Sequence, residues 1–253
     1  MRRRASLAAF AVLAEVVAGE RRGAAAVQVD STLQESVFDQ AGLDSPNLTI
    51  GDGPARLLVV AVATGNPAAV VRHITWSGAA LTRLDARVLA APAGPCRLEL
   101  WTLIDPASGA SSLQVSLSAS AGFGLGAVVY TGVDAEEPLG PARWQSGSGG
   151  RIALDVPAPG ERPVLGAACL GGHWNGGPTA STPEAEPGPG ETDFWNFTEP
   201  GVVGLGSHRV TMNGQARVSW NVTGSAIVVT TAWCNSHEGR ARLRLFERNL
   251  NAA

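Results

Sequence analysis

The chain has 253 residues, 45% of them hydrophobic and only 16% charged, and its 31 glycines and 16 prolines give a globular composition broken by many turns. A formal net charge of −3 excludes the basic face that nucleic acid requires. Every Lys/Arg position is Arg, which removes Schiff-base lysines, Ser–Lys dyads and the phosphate-binding P-loop lysine together.

In chain order, Arg2, Arg3 and Arg4 precede a short apolar stretch, Ala5 to Ala14, in the pattern of an export signal. Glu15, Glu20, Arg21 and Arg22 interrupt it, so cleavage is expected after Ala18 or after Ala26. Residues 1–26 are read as this leader and 27–253 as a single domain, secreted or held at the cell surface, with no later transmembrane segment. The lack of lysine suits a GC-rich bacterial genome.

From Val27 onward, short apolar runs alternate with Gly, Pro, Ser and Asp clusters, the pattern of an all-β chain. Arg56 to Thr64 is continuously apolar and predicts a central strand buried on both faces. Strands are also expected at Val71 to Trp76, Leu81 to Ala90, Arg97 to Ile104 and Leu125 to Thr131. Between the last two, Leu113, Val115, Leu117 and Ala119 alternate with polar residues and predict a half-buried strand. The alternation returns at Ile152, Leu154 and Val156, and at Ala216, Val218, Trp220 and Val222. Further strands are expected at Val164 to Leu170, Val202 to Met212, Ala226 to Trp233 and Arg240 to Phe246. So many short strands bury one face each most simply in a two-layer antiparallel β-sandwich of jelly-roll-like build. No internal repeat of fixed period is legible, and Pro138 to Gly150 is the one candidate seam between halves.

Several segments, RLLVVAV at Arg56 to Val62, ITWSGAALT at Ile74 to Thr82, ELWTLIDP at Glu99 to Pro106, VVYTGVDAEEPLG at Val128 to Gly140 and ARVSWNVTGS at Ala216 to Ser225, carry a resemblance. Together they resemble uncharacterised jelly-roll-like sandwich modules of bacterial extracellular proteins, from about Arg56 to Trp233. The resemblance implies the fold and carries over no catalytic residue. The chain departs from it at Gly171 to Gly201, which is longer and more acidic than a plain connection, and in the Arg-rich run beyond Trp233.

The segment Gly171 to Gly201 reads as a long Gly/Pro-rich acidic loop and is the leading candidate site. Trp174 and Trp195 offer flat indole faces to sugar rings or to an apolar partner, with His173, Glu191 and Asp193 as hydrogen-bonding neighbours. The competing reading is a flap whose aromatics cap the sandwich. Arg240, Arg242 and Arg244 alternate with apolar residues, which puts three guanidinium groups on one face. That face suits an anionic polymer, or else protects an edge strand by charge. Asp134, Glu136 and Glu137 read as a turn. Cys96, Cys169 and Cys234 each lie in or beside apolar runs as small buried hydrophobes; three cannot all pair, and whether any two do is left open.

No nucleophile elbow, zinc-protease motif or dinucleotide fingerprint is present, and no cofactor or metal is called for. A glycosidase pair assembled from Glu99, Glu191 and Asp193 is allowed only because such pairs meet in space. The expected function is a secreted non-catalytic binding module for an extracellular glycan or another surface polymer or protein. The alternatives are a structural or adhesive surface protein and a polysaccharide-active enzyme.

Overall fold

The computed structural model describes residues 27–89, 94–157, 162–171, 185–210 and 215–233, and all regular elements among them are strands. The architecture is the expected all-β, antiparallel sandwich. The predicted strand at Arg240 to Phe246 lies outside the described residues.

The first sheet uses β1 (Gln28–Ile50), β2 (Leu57–Thr64), β3 (Val71–Trp76), β4 (Ala79–Ala80), β5 (Thr82–Leu89), β6 (Cys96–Ile104) and β7 (Gly109–Thr131), in the order β4-β3-β7-β2-β6-β5, with β1 also on β7. β1 runs along one edge of β7 for nearly its full length, while the other edge pairs with β3 through its first half and with β2 through its second. The alternating strand expected around Leu113 and the separate strand expected at Leu125 to Thr131 are thus one long strand. Its odd-numbered residues Leu113, Val115, Leu117, Phe123, Leu125, Ala127 and Val129 all enter one core with Leu58, Val60 and Val62 of β2. Burying one face from end to end requires the sheet to curl until it nearly closes on itself.

The second sheet uses β8 (Arg143–Pro157), β9 (Pro163–Gly171), β10 (Ala185–Pro187), β11 (Thr192–Glu199), β12 (Val202–Val210) and β13 (Gln215–Trp233). Its order is β10-β13-β9-β12-β11, with β8 also on β13. One of its faces buries a core of its own, with Ile152, Val156, Leu170, Leu205, Val218 and Trp220. Between the two sheets lies a further core, to which β2 gives Leu57, Val59, Ala61 and Ala63, and the second sheet gives Leu165, Ala167, Cys169, Trp195 and Phe197. β2 therefore has both faces covered, which is why its sequence is continuously apolar.

The second topology repeats the first. With β4 set aside, β1, β2, β3, β5, β6 and β7 correspond in order and pairing to β8, β9, β10, β11, β12 and β13. Ile50 and Arg56 fall at the same spacing as Val156 and Arg162, at the ends of equivalent connections. The register of β5 on β6 slips between Arg83 and Asp85, and that of β11 on β12 slips at the equivalent place, between Asp193 and Trp195. Contacts between the sheets obey the same exchange: β6 meets β9 as β12 meets β2, β5 meets β13 as β11 meets β7, and β2 meets β9. The halves are thus related by an approximate twofold axis passing near β2 and β9, in the manner of an isologous interface. The expectation of no internal repeat is corrected at this level. Equivalent positions share a place in the fold rather than a residue type, Asp85 standing opposite Trp195 and Arg87 opposite Phe197, so letter matching does not find them.

Candidate functional site

The leading sequence candidate divides into parts with different fates. His173 and Trp174 lie outside the described residues, as do Arg240, Arg242 and Arg244. The rest of Gly171 to Gly201 is not all loop, because it contains β10 and β11. In β11, Trp195 and Phe197 alternate inward, and Trp195 is 2% exposed. A Cβ on Gly126 of β7 or on Gly206 of β12 would overlap the indole, and one on Gly124 or Gly204 would overlap the Phe197 ring. The two aromatics are keyed into paired glycine slots, one from each sheet. Trp195 is therefore core and offers no displayed stacking face, which corrects its assignment to a ligand site.

Glu191 and Asp193 sit just before and at the start of β11. The Glu191 carboxylate accepts the Ser207 hydroxyl at 2.6 Å and the Ser219 backbone N–H at 2.7 Å. Partial burial pushes its pKa up against these stabilising contacts. It ties the turn before β11 to β12 and β13, so its oxygens are spent on the fold. Asp193 is exposed at its edge, and burial of its surroundings raises its carboxyl also. Glu99 belongs to the first sheet and is 1% exposed. Its Oε1 accepts the Val71 N–H at 3.0 Å and the Arg97 Nε–H at 2.5 Å. A carboxylate so enclosed faces no groove, and it shares no partner with Glu191. Asp134 accepts the N–H groups of Glu136 and Glu137 at 2.8 and 3.1 Å, the expected turn. Among the described residues, no group of three or more His, Cys, Asp or Glu side chains is placed to hold a metal ion.

The approximate symmetry creates two seams where an outer strand of one half meets the other half, and they differ in chemistry. At the β11 seam Trp195 and Phe197 are buried, and Phe194 stacks against Trp195 and lies 4.4 Å from the His208 ring. Ser36 donates to Glu199 at 2.8 Å and the Asn196 N–H to Gln34 at 2.9 Å, closing β11 against β1. At the β5 seam the positions of Trp195 and Phe197 are held by Asp85 and Arg87, which form an ion pair at 3.0 Å. The Arg87 guanidinium lies 4.8 Å from the ring centroid of Trp144 on β8, within cation–π range. Trp144 is 49% exposed and Val88 51%. No family model matches the chain, and no curated protein does.

The β5 seam brings together a half-exposed indole, a guanidinium oriented by a carboxylate, and the exposed Arg83. That set can stack on a flat face and donate hydrogen bonds; it holds no activated nucleophile. Sequence reasoning did not single out Trp144. The available signal was a lone Trp flanked by Arg143 and Gln145 in an otherwise small and polar stretch, where no core position is expected.

Proposed function

We propose that the chain is a non-catalytic binding module, exported or displayed at the cell surface, which takes a polysaccharide along the β5 seam. The observation that carries this reading is Trp144: the fold leaves its indole half in water against the Arg87 guanidinium, whereas Trp195 and Phe197 at the other seam are buried. Trp and Arg are among the side chains that carry most of the energy at binding surfaces. Arg87 backs the ring, and its remaining donors and those of Arg83 suit hydroxyl or carboxylate oxygens of a sugar. The N-terminal Arg cluster with its apolar stretch supports export, and the resemblance to extracellular sandwich modules agrees.

Electrophoresis through gels containing neutral or uronic-acid polysaccharides tests the reading. The wild-type chain is expected to be retarded by at least one polymer, and Trp144→Ala to weaken that retardation about tenfold while leaving the far-UV circular dichroism unchanged, the loss of one stacked contact. Free migration in every gel, or retardation indifferent to Trp144→Ala, overturns it. A structural component assembled through strand edges is the second reading, because β5 pairs only with β6 among the described residues and carries Val88 at the surface. Charged Arg83 and Arg87 on that strand oppose strand addition. Self-association in sedimentation that Val88→Lys abolishes would favour this second reading.

A further inference from the structure

Cys96 begins β6 and Cys169 lies near the end of β9, on facing sheets, and both are fully buried in the core between them. The Cys96 thiol donates to the Cys169 carbonyl oxygen at 3.5 Å, and the neighbouring Cys96 side chain helps to raise the Cys169 thiol's pKa. The backbones approach each other closely here, since a Cβ on Gly94 would overlap Gly171 and one on Gly171 would overlap Gly94. Cys96 and Cys169 each lie two residues from this contact, where the sheets come nearer than the roughly 10 Å at which facing sheets otherwise stand, the proximity a disulfide needs. By the approximate symmetry the equivalent pair is Ala63 and Val202, so the sulfurs occupy one of two like crossings.

We propose that Cys96 and Cys169 form a disulfide that staples the two halves of the molecule, and that Cys234 remains outside it. The reaction is thiol–disulfide exchange with an exchange-competent disulfide such as oxidised glutathione. One cysteine thiolate attacks that disulfide, forming a mixed disulfide and releasing one thiolate. The second cysteine displaces the other half. Two electrons pass from the cysteine sulfurs to the oxidant, which leaves as two thiols carrying the two protons. Burial pushes the Cys169 thiol up, so the reactive thiolate forms before the sheets dock, and the finished bond is then shielded from reductant.

The full chain is refolded with and without oxidised glutathione, alkylated in denaturant and digested without reduction. The expected result is a Cys96–Cys169 cross-linked peptide, loss of two of the three alkylatable thiols, and a melting temperature about 10 °C above that of the reduced chain, from the long loop the bond closes. The Cys234→Ala chain should form the same link, which keeps the test independent of how well Cys96→Ala or Cys169→Ala folds. Full alkylation of both remaining cysteines in oxidised Cys234→Ala, or cross-links that run through Cys234 in the wild type, overturns the proposal.

Discussion

Replacing Trp195 by Ala removes the wedge that joins the two sheets at the β11 seam. The indole is 2% exposed and lies between Gly126 and Gly206, neither of which has a side chain to relax into the space it leaves. A buried Trp withdraws about 150–250 Å² from water, worth about 4–6 kcal/mol at 25 cal/mol per Å². Truncations of buried Phe and Trp cost about 3–5 kcal/mol. We expect a loss of about 4 kcal/mol, or roughly 10 °C in melting temperature for a chain of this size, read from urea unfolding followed by far-UV circular dichroism. Gly126→Ala alone, which forces a methyl into the indole, should cost about 1–3 kcal/mol. In the double variant the added methyl enters the vacated slot, so the two losses should sum to more than the double variant shows. A Trp195→Ala chain within about 1 kcal/mol of wild type, or strictly additive losses, would refute the keyed-slot description.

Arg97→Met strips Glu99 of its 2.5 Å partner, leaving a 1% exposed carboxylate with the Val71 N–H and a distant Arg83, and should destabilise by about 3 kcal/mol. Adding Glu99→Gln should recover part of that loss in urea midpoint, and no recovery would mean the charge is not the cause. Burial lowers the His208 pKa, so as pH falls below its ordinary value near 6.5 the unfolded chain takes up a proton that the folded chain resists. Stability attributable to His208 is therefore full above that value and lost toward the lower folded pKa. His208→Gln should flatten the fall in urea midpoint between about pH 7.5 and 5.5, and an unchanged slope would count against it. Trp144→Ala, in contrast to Trp195→Ala, should leave the unfolding curve within about 0.5 kcal/mol of wild type.

Period-two alternation made much of the sandwich legible. Leu113 to Leu117 and Ala216 to Trp220 face their cores as their spacing requires, and the unbroken run at Leu57 to Thr64 marks the strand covered on both faces. What escaped is what depends on long-range pairing. β1 is polar and irregular because much of it is exposed and its register on β7 slips repeatedly, so no local pattern announces it. Trp195 and Phe197 alternate, but prolines and acidic residues around them suggested a loop, and only the glycines of two other strands reveal them as core. The exposure of Trp144 likewise depends on which strand of the other half lies beside it.

The approximate twofold has a consequence for how such a protein can change. In a dimer of identical subunits, any substitution strikes both copies, so a tight wedge cannot be installed at one junction without appearing at its twin. Here a single polypeptide carries both copies. Asp85 and Trp195 occupy the same station in their respective halves, so one junction is locked by aromatic packing while its counterpart stays wet and accessible.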